Sequence, residues 1–288
     1  MEFRIYKDIK EFYKDTYDIL LRHEGQNLIP LGNIIIGNEG KDKHDWRDPL
    51  NWFMATVSGE NGIILTAIMT PPWNLTLYAT DNRLNNRALD FLVNEIIKEN
   101  ISVPGVMSEK SLAEGFASKY TLAKGMEFSV SMNQRIYELT EVNHDIPEIG
   151  SLRLAKESDI SFFPYWFEGF RLECFDTPIA INSDEEVYRY HIATDKLYIL
   201  EYNGMPVSMA KTAREMTTVC SVAVVYTPPY FRGKGYATSC VAKVSRMVLG
   251  RGFKKCVLYT DLANPTSNSI YQKIGYRPIC DSLDIKFE

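Results

Sequence analysis

The residues best suited to chemistry in this 288-residue chain form a short glycine-containing segment after an apolar run. Arg232 and Lys234 alternate with Gly233 and Gly235, and a helical pattern begins directly afterwards. Backbone N–H groups at a helix start have no intrahelical acceptor, and the helix dipole adds partial positive charge there. Because glycine has no Cβ, the backbone can approach an anion closely. The segment therefore predicts a phosphate-binding turn.

Three kinds of phosphate-binding loop can be compared with this segment. A P-loop requires Ser or Thr after Gly-Lys, but Gly235 stands there. A dinucleotide-binding fingerprint requires Gly or Ala at the position of Thr238. The pattern [Arg/Gln]-x-x-Gly-x-[Gly/Ala] fits residues 232–237 at every position.

A second pattern about thirty residues further on strengthens this interpretation. Tyr271 stands seven positions after Asn264, and Gly275-Tyr276 follows four positions later. The two patterns together resemble the coenzyme A-binding motifs of the GNAT superfamily of N-acetyltransferases. The resemblance is good over about residues 150–288, and the first half is similar to the N-terminal half of bacterial tandem GNAT proteins.

The resemblance implies a role for each motif residue. Residues 232–237 would hold the diphosphate of acetyl-CoA, and Val225 to Thr227 would pair with its pantetheine amides like an added strand. Asn264 would reach the pantetheine arm, and Tyr271 would lie near the acyl-CoA sulfur as the catalytic residue. The expected cofactor-binding residues are Val225, Tyr226, Thr227, Arg232, Gly233, Lys234, Gly235, Tyr236, Ala237, Asn264 and Asn268.

The implied reaction is direct attack of a neutral primary amine on the thioester in a ternary complex. Such amines have a pKa near ~10.4, so a base or a water chain must help. The resemblance suggests an N–H near Val225 as the oxyanion donor and Tyr271 as the donor to the thiolate. The base stays open among four carboxylates: Glu168, Glu173, Asp176 and Glu215. The alternative function is a non-enzymatic acyl-CoA sensor.

Each motif residue also has a structural alternative. Tyr271 can be a core residue, and Asn264 is a helix N-cap in either case. Arg232 can pair with a local carboxylate, and the aromatic run at 162–170 is favoured as core over an acceptor pocket.

The elements that position these residues are strands and helices in alternation, which indicates an α+β fold. The resemblance implies two GNAT-like domains, each a mixed, mostly antiparallel sheet flanked by helices. We assign residues 1–142 to a degenerate domain, 143–150 to a linker and 151–288 to the catalytic domain. Residues 81–87 contain no glycine, so we expect no cofactor in the first half. The order strand, helix, strand, helix, strand occurs from residue 75 and again from 219, which suggests an internal duplication.

Composition limits the partners. The net charge of −5 disfavours nucleic acid, and 45% hydrophobic residues are ordinary for a globular protein. The N-terminus lacks a signal-peptide pattern, and no apolar run is long enough for a membrane span, so we expect a cytoplasmic protein. Five cysteines and four histidines show no metal-ligand spacing. The expected partner is a small-molecule or peptide amine, and the oligomeric state stays open.

Overall fold

The computed structural model describes residues 1–40, 48–80, 86–175 and 185–288. The chain forms two compact units, one of residues 1–136 with 279–288 and one of residues 137–278. The segment 143–150, for which the sequence predicts a linker, lies within the second unit. Among the described helices, none has the length and apolar character that crossing a membrane requires.

The first unit is a mixed sheet with helices on it. Strands β1 to β4 pair antiparallel, β4 pairs parallel with β5, and β5 pairs antiparallel with residues 282–286 of the C-terminal strand. The apolar stripes of its third and fourth helices, including Leu92 and Phe116, pack into its core. Its elements are β1 (Glu2–Ile5), α1 (Ile9–Leu21), α2 (Leu28–Glu39), β2 (Phe53–Gly59), β3 (Gly62–Met69), β4 (Leu75–Ala79), α3 (Asn86–Lys98), β5 (Gly105–Glu109), α4 (Lys110–Lys124) and most of β6 (Phe128–Leu139).

The second unit repeats this plan. Strands β7 to β10 pair antiparallel, and β10 pairs parallel with β11. Its elements are β7 (Ser151–Leu154), α5 (Phe163–Phe175), α6 (Glu185–Ala193), β8 (Leu197–Tyr202), β9 (Met205–Glu215), β10 (Val219–Tyr226), α7 (Tyr236–Gly250), β11 (Lys255–Asp261), α8 (Pro265–Ile274) and the start of β12 (Arg277–Phe287). The predicted fold class, with mixed and mostly antiparallel sheets flanked by helices, is confirmed.

Two apolar layers cover the sheet of the second unit. On one face, Val241 and Val244 of α7 pack with Leu200 of β8 and Val222 of β10. On the other face, Phe163 and Trp166 of α5 pack with alternate sheet residues, which include Ile199 and Met209. The period of two along each strand explains this division. The aromatic residues Phe163 and Trp166 are therefore core residues.

Local sequence signals set several of these elements. Asn203 and Gly204, at φ of 51° and 75°, join β8 to β9 in the turn that the dipeptide predicts. The side chain of Asn264 caps α8 by accepting from the N–H of Ser267 at 3.0 Å, and Pro265 stands at its first position. Gly275, at φ 117°, ends that helix.

The first half differs from the sequence-based expectation in two places. The pattern of residues 5–22 predicts a single helix, and this prediction is wrong. Residues 2–5 form β1, and α1 begins only after Asp8, whose carboxylate caps it. The sequence predicts neither α2 nor β2. The pattern of α2 does not indicate a helix because apolar residues lie on all its sides and because it contains Pro30 and Gly32. The sequence predicts a capping box formed by Ser183 and Glu186, and Ser183 lies outside the described residues. Residues 81–85 of the glycine-free segment 81–87 also lie outside them.

Candidate functional site

The candidate site begins where two parallel strands separate. β10 pairs with β11 only through Val219–Ser221 and Lys255–Val257, although β10 continues to Tyr226 and β11 to Asp261. Backbone groups near the end of β10 therefore have no partner on β11 in the described pairing. An extended ligand can pair with such an edge in the manner of an added strand.

A β-bulge shapes the end of β10. Ala223 pairs with Lys211 and Tyr226 with Met209, so Val224 and Val225 lie opposite a single residue of β9. Val224 has a φ of 52°, which is rare for a β-branched residue and costs roughly 1–3 kcal/mol. Bulges of this kind re-aim backbone groups and often occur beside binding sites. No signal in the sequence indicates this bulge, because valine is a residue that normally avoids this conformation.

The predicted glycine turn follows the bulge and leads into α7. Gly233 and Gly235 adopt φ values of 74° and 81°, and α7 begins at Tyr236. The first N–H of this region with a backbone acceptor is that of Ser239, which donates to the Gly235 carbonyl at 3.0 Å. Within the described part of the chain, the backbone N–H groups of residues 233–238 have no acceptor. A run of unpaired donors at a helix start is a site for an anion.

The two glycines differ in their surroundings. A Cβ on Gly235 would come within 3.1 Å of Ile149 Cδ1, whereas a Cβ on Gly233 would meet nothing within 4 Å. Gly233 is therefore open on the side from which a ligand can approach. Ile149 belongs to a segment held on α7 by Ser239, whose hydroxyl donates to the Ile149 carbonyl at 2.8 Å.

Arg232 is engaged by its neighbours. Its Nε donates to the Thr227 carbonyl at 2.8 Å, and its Nη2 lies 2.7 and 2.8 Å from the two oxygens of Glu173 at the end of α5. The pairing with a local carboxylate, which the sequence left as an alternative, is present in the structure. Lys234 is exposed, with its Nζ 3.5 Å from the carbonyl of Tyr230.

The residues at the end of β10 are available to a ligand mainly through their backbone groups. The ring of Tyr226 is buried beside Trp166, and its hydroxyl lies over Gly169, where a Cβ would collide with it. Burial also raises the pKa of Tyr226. Ser208 donates to the Tyr226 carbonyl at 3.1 Å and shares a 2.8 Å hydrogen bond with the Thr227 hydroxyl. Tyr226 and Thr227 thus use their side chains within the protein.

Asn264 and Asn268 tie the start of α8 to the end of β11. Besides its capping bond, Asn264 donates its own N–H to the Asp261 carbonyl at 3.1 Å. The Asn268 amide donates to the carbonyls of Asp261 and Asn264 at 2.8 and 2.7 Å, and its oxygen accepts from the Tyr137 hydroxyl at 3.0 Å. Asn268 therefore already has internal partners for its side chain.

Tyr271 lies on α8 with only 8% of its surface exposed. Its ring is 6.4 Å from that of Tyr137 and 6.0 Å from that of Tyr276. Burial raises the pKa of its phenol far above the ordinary value, and the nearby Cys174 adds to this shift. Burial likewise raises the pKa of the Cys174 thiol to about 11. Tyr271 therefore stays protonated at neutral pH and can act as a hydrogen-bond donor.

The candidate bases that the structure describes differ in their positions and in their partners. Glu215 pairs with Arg251 at 3.0 Å and with Lys196 at 3.5 Å, and it lies opposite Cys220, at the far end of β10 from the bulge. Glu173 binds Arg232. Glu168 is a half-buried residue of α5, and Asp176 lies outside the described residues.

A histidine–lysine contact on the α5–α6 face is not evident from the sequence. Lys211 Nζ donates to His191 Nδ1 at 2.9 Å, and the imidazole stacks on Phe167 with the ring centroids 5.3 Å apart. Burial, with a smaller contribution from Lys211, lowers the pKa of His191 to about 4. Lys211 is paired with Ala223, the residue before the bulge. Within the described ranges, no group of three or more His, Cys, Asp or Glu could hold a metal ion.

Part of this chain matches a known family model, and the whole chain resembles solved structures in its fold. Residues 202–283, which contain the bulge, the glycine turn and α8, match the family model described as FR47-like protein. The fold is similar to an acetyltransferase from the GNAT family of Colwellia psychrerythraea, with a TM-score of 0.54 and 12% identity over 100% of this chain and 99% of that one. It is also similar to a GCN5-related N-acetyltransferase from Sphaerobacter thermophilus, with a TM-score of 0.64 and 12% identity over 99% and 95% of the two chains. This chain has the GNAT fold.

The fold is also similar to that of a Drosophila protein, with a TM-score of 0.62 and 10% identity over 99% of this chain and 98% of that one. No curated protein sequence matches the chain. The resemblance inferred from the motifs is thus confirmed at the level of the fold, over the whole chain.

Proposed function

We propose that this GNAT-fold protein is an N-acetyltransferase that transfers the acetyl group of acetyl-CoA directly to a primary amine in a ternary complex. The observation that carries the proposal is the run of unpaired N–H groups at residues 233–238, beside the point where β10 leaves β11. The donors and the helix dipole suit the diphosphate of coenzyme A.

The separated edge of β10 then receives the pantetheine arm. Val225 and Thr227 offer backbone groups to its amides, and Asn264 stands on the opposite side of the gap at the end of β11. Lys234 adds positive charge beside the diphosphate. Arg232 contributes by holding the Thr227 carbonyl and, when it releases Glu173, by binding a phosphate oxygen.

The bulge and Tyr271 act on the reacting group. An N–H near Val225 stabilises the tetrahedral oxyanion, a contribution of ~3 kcal/mol in comparable sites. The raised pKa of Tyr271 makes full proton transfer to a thiolate of pKa near ~8.5 unfavourable. Tyr271 therefore acts as a hydrogen-bond donor to the leaving sulfur, and the proton arrives from solvent.

The amine must lose a proton before it attacks the thioester. Among the candidate bases, Glu173 and Glu215 are each paired with an arginine, so neither carboxylate is free to face the amine. Water at the open end of the β10–β11 gap is the acceptor that we propose for this proton. Substitution of Glu173 or Glu215 by Gln should then leave turnover nearly unchanged.

The test is a thiol-release assay with acetyl-CoA and a panel of primary amines, amino acids and peptides. We expect CoA release that requires both the protein and one class of amine, and loss of most of the turnover in Tyr271→Phe at nearly unchanged acetyl-CoA affinity. Binding of acetyl-CoA without release across the panel would instead support the acyl-CoA sensor. Absence of any binding would reject both functions.

A further inference from the structure

Tyr137 is a buried tyrosine near the end of β6 whose hydroxyl holds two residues of α8. Its side chain is 0% exposed. The hydroxyl donates to Asn268 Oδ1 at 3.0 Å and accepts from Gln272 Nε2 at 3.0 Å. Residues 268 and 272 are four apart and share one face of the helix. A single phenol group therefore fixes this face of α8.

The contact continues from α8 to the end of β11. The amide of Asn268 donates to the carbonyls of Asp261 and Asn264 at 2.8 and 2.7 Å. Tyr271 is the neighbour of Gln272 on the helix, and its ring lies 6.4 Å from that of Tyr137. The hydroxyl of Tyr137 thus fixes the rotation of α8 about its axis, and with it the position of Tyr271 relative to β11.

We propose that Tyr137 is a positioning residue for acyl transfer, which sets where the Tyr271 hydroxyl lies. The inference rests on the proposed function, in which Tyr271 donates to the leaving sulfur. Tyr137 stands before the segment 151–288 that the sequence assigns to catalysis, yet it is a residue of the second unit. The chain upstream of residue 151 therefore contributes to the site.

The expected kinetic effect is on turnover rather than on cofactor affinity. A misplacement of about 1 Å at a reacting group can cost on the order of 100-fold in rate. We expect Tyr137→Phe, which keeps the ring and removes the hydroxyl, to lower kcat about tenfold. The KM for acetyl-CoA should change less than about twofold, because the diphosphate donors lie on α7 and its preceding turn.

A double-mutant cycle separates positioning from general destabilisation. In a Tyr271→Phe background the reacting hydroxyl is absent, so Tyr137→Phe should lower kcat less than about twofold further. The same fold-loss in both backgrounds, or no loss in the wild-type background, would overturn the inference. Tyr120→Phe is the matched control, because it removes another buried hydroxyl, which accepts from the N–H of Val103 in the first unit. This control should lower the Tm and leave kcat unchanged.

Hydrogen exchange in the full-length chain gives a readout that does not depend on turnover. Tyr137→Phe should speed amide exchange in residues 265–274 more than Tyr120→Phe does. If the wild-type protein transfers no acyl group, the proposed function fails, while faster exchange still supports the hold of Tyr137 on α8. Unchanged exchange in α8 would overturn the positioning role whatever the activity.

Discussion

At the scale of single residues, the site is defined by which polar groups already have partners. Arg232 and Asn268 both bind within the protein, whereas the backbone donors of 233–238 have no acceptor in the described chain. The main-chain donors, rather than the side chains that attract notice in the sequence, therefore have the greater free capacity for a ligand.

Glu173→Gln should tighten CoA binding. The Arg232–Glu173 pair is about half exposed, and such pairs contribute only ~0–1 kcal/mol, so the guanidinium is easily released. Removing the carboxylate also removes negative charge near the diphosphate. We expect a CoA dissociation constant about threefold lower by calorimetry at low salt. Weaker binding would show instead that Glu173 orients Arg232 for the ligand, and a turnover loss of about 100-fold or more would identify Glu173 as the base.

His191 should make stability depend on pH between about 4 and 6.5. Its pKa falls from the ordinary 6.5 to about 4 in the folded protein, chiefly by burial. In that window the unfolded chain binds a proton that the folded chain does not, so the free energy of unfolding decreases as the pH falls. Above pH 6.5 the contribution is fully present.

The check is urea unfolding of the wild type and of His191→Gln at pH 7 and pH 4.5. The variant should lose less stability than the wild type over this interval. Both proteins retain the carboxylates whose pKa values lie below their ordinary ones, Glu148 and Asp281, so those effects cancel in the comparison. Equal losses in the two proteins would contradict the neutral, half-buried state of His191.

At the scale of elements, the sequence predicts what local chemistry decides. The Asn-Gly turn, the cap at Asn264 and the end of α8 at Gly275 follow from preferences of the residues at those positions. The bulge at Val224 could not be predicted, because its conformation opposes the preference of valine and depends on neighbouring strands. The Tyr137 contact also escaped prediction, since it joins residues more than 130 positions apart.

Gly233→Ala should weaken CoA binding about tenfold. Alanine at a φ of 74° is strained by roughly 1–2 kcal/mol, and its Cβ would occupy the open space beside the unpaired donors. Gly204→Ala is a matched control, because Gly204 has a φ of 75° and a Cβ added there would likewise meet nothing within 4 Å. Both variants should lose similar stability by thermal unfolding. An equal change of CoA affinity in the two would contradict the assignment of the turn.

At the scale of the whole molecule, the two units are not two consecutive halves of the chain, because the first unit includes residues 279–288. Residues 282–286 near the C-terminus pair with β5, and Ile285 is fully buried in the first unit. Asn74 secures this strand by donating to Asp284 Oδ1 at 2.6 Å and to the Ile285 carbonyl at 3.3 Å. The sequence suggests one domain boundary near residue 142, because motifs are read in chain order. Strand pairing instead joins residues 282–286 to the first unit.

Ile285→Ala should destabilise the first unit although it changes the C-terminal strand. Truncation of a fully buried isoleucine costs about 2–5 kcal/mol. Hydrogen exchange should become faster in Gly105–Glu109 and stay unchanged in Leu197–Tyr202. Lys286→Ala, an exposed change on the same strand, is the control and should alter neither. Unchanged protection of β5 in Ile285→Ala would contradict this pairing.

Amide hydrogen exchange of the wild-type protein with and without CoA shows directly whether the turn at residues 233–238 binds the diphosphate. We predict that CoA slows exchange most strongly at residues 233–238, whose N–H groups gain phosphate oxygens as acceptors. Binding of CoA that protects other residues and leaves 233–238 unchanged would contradict it.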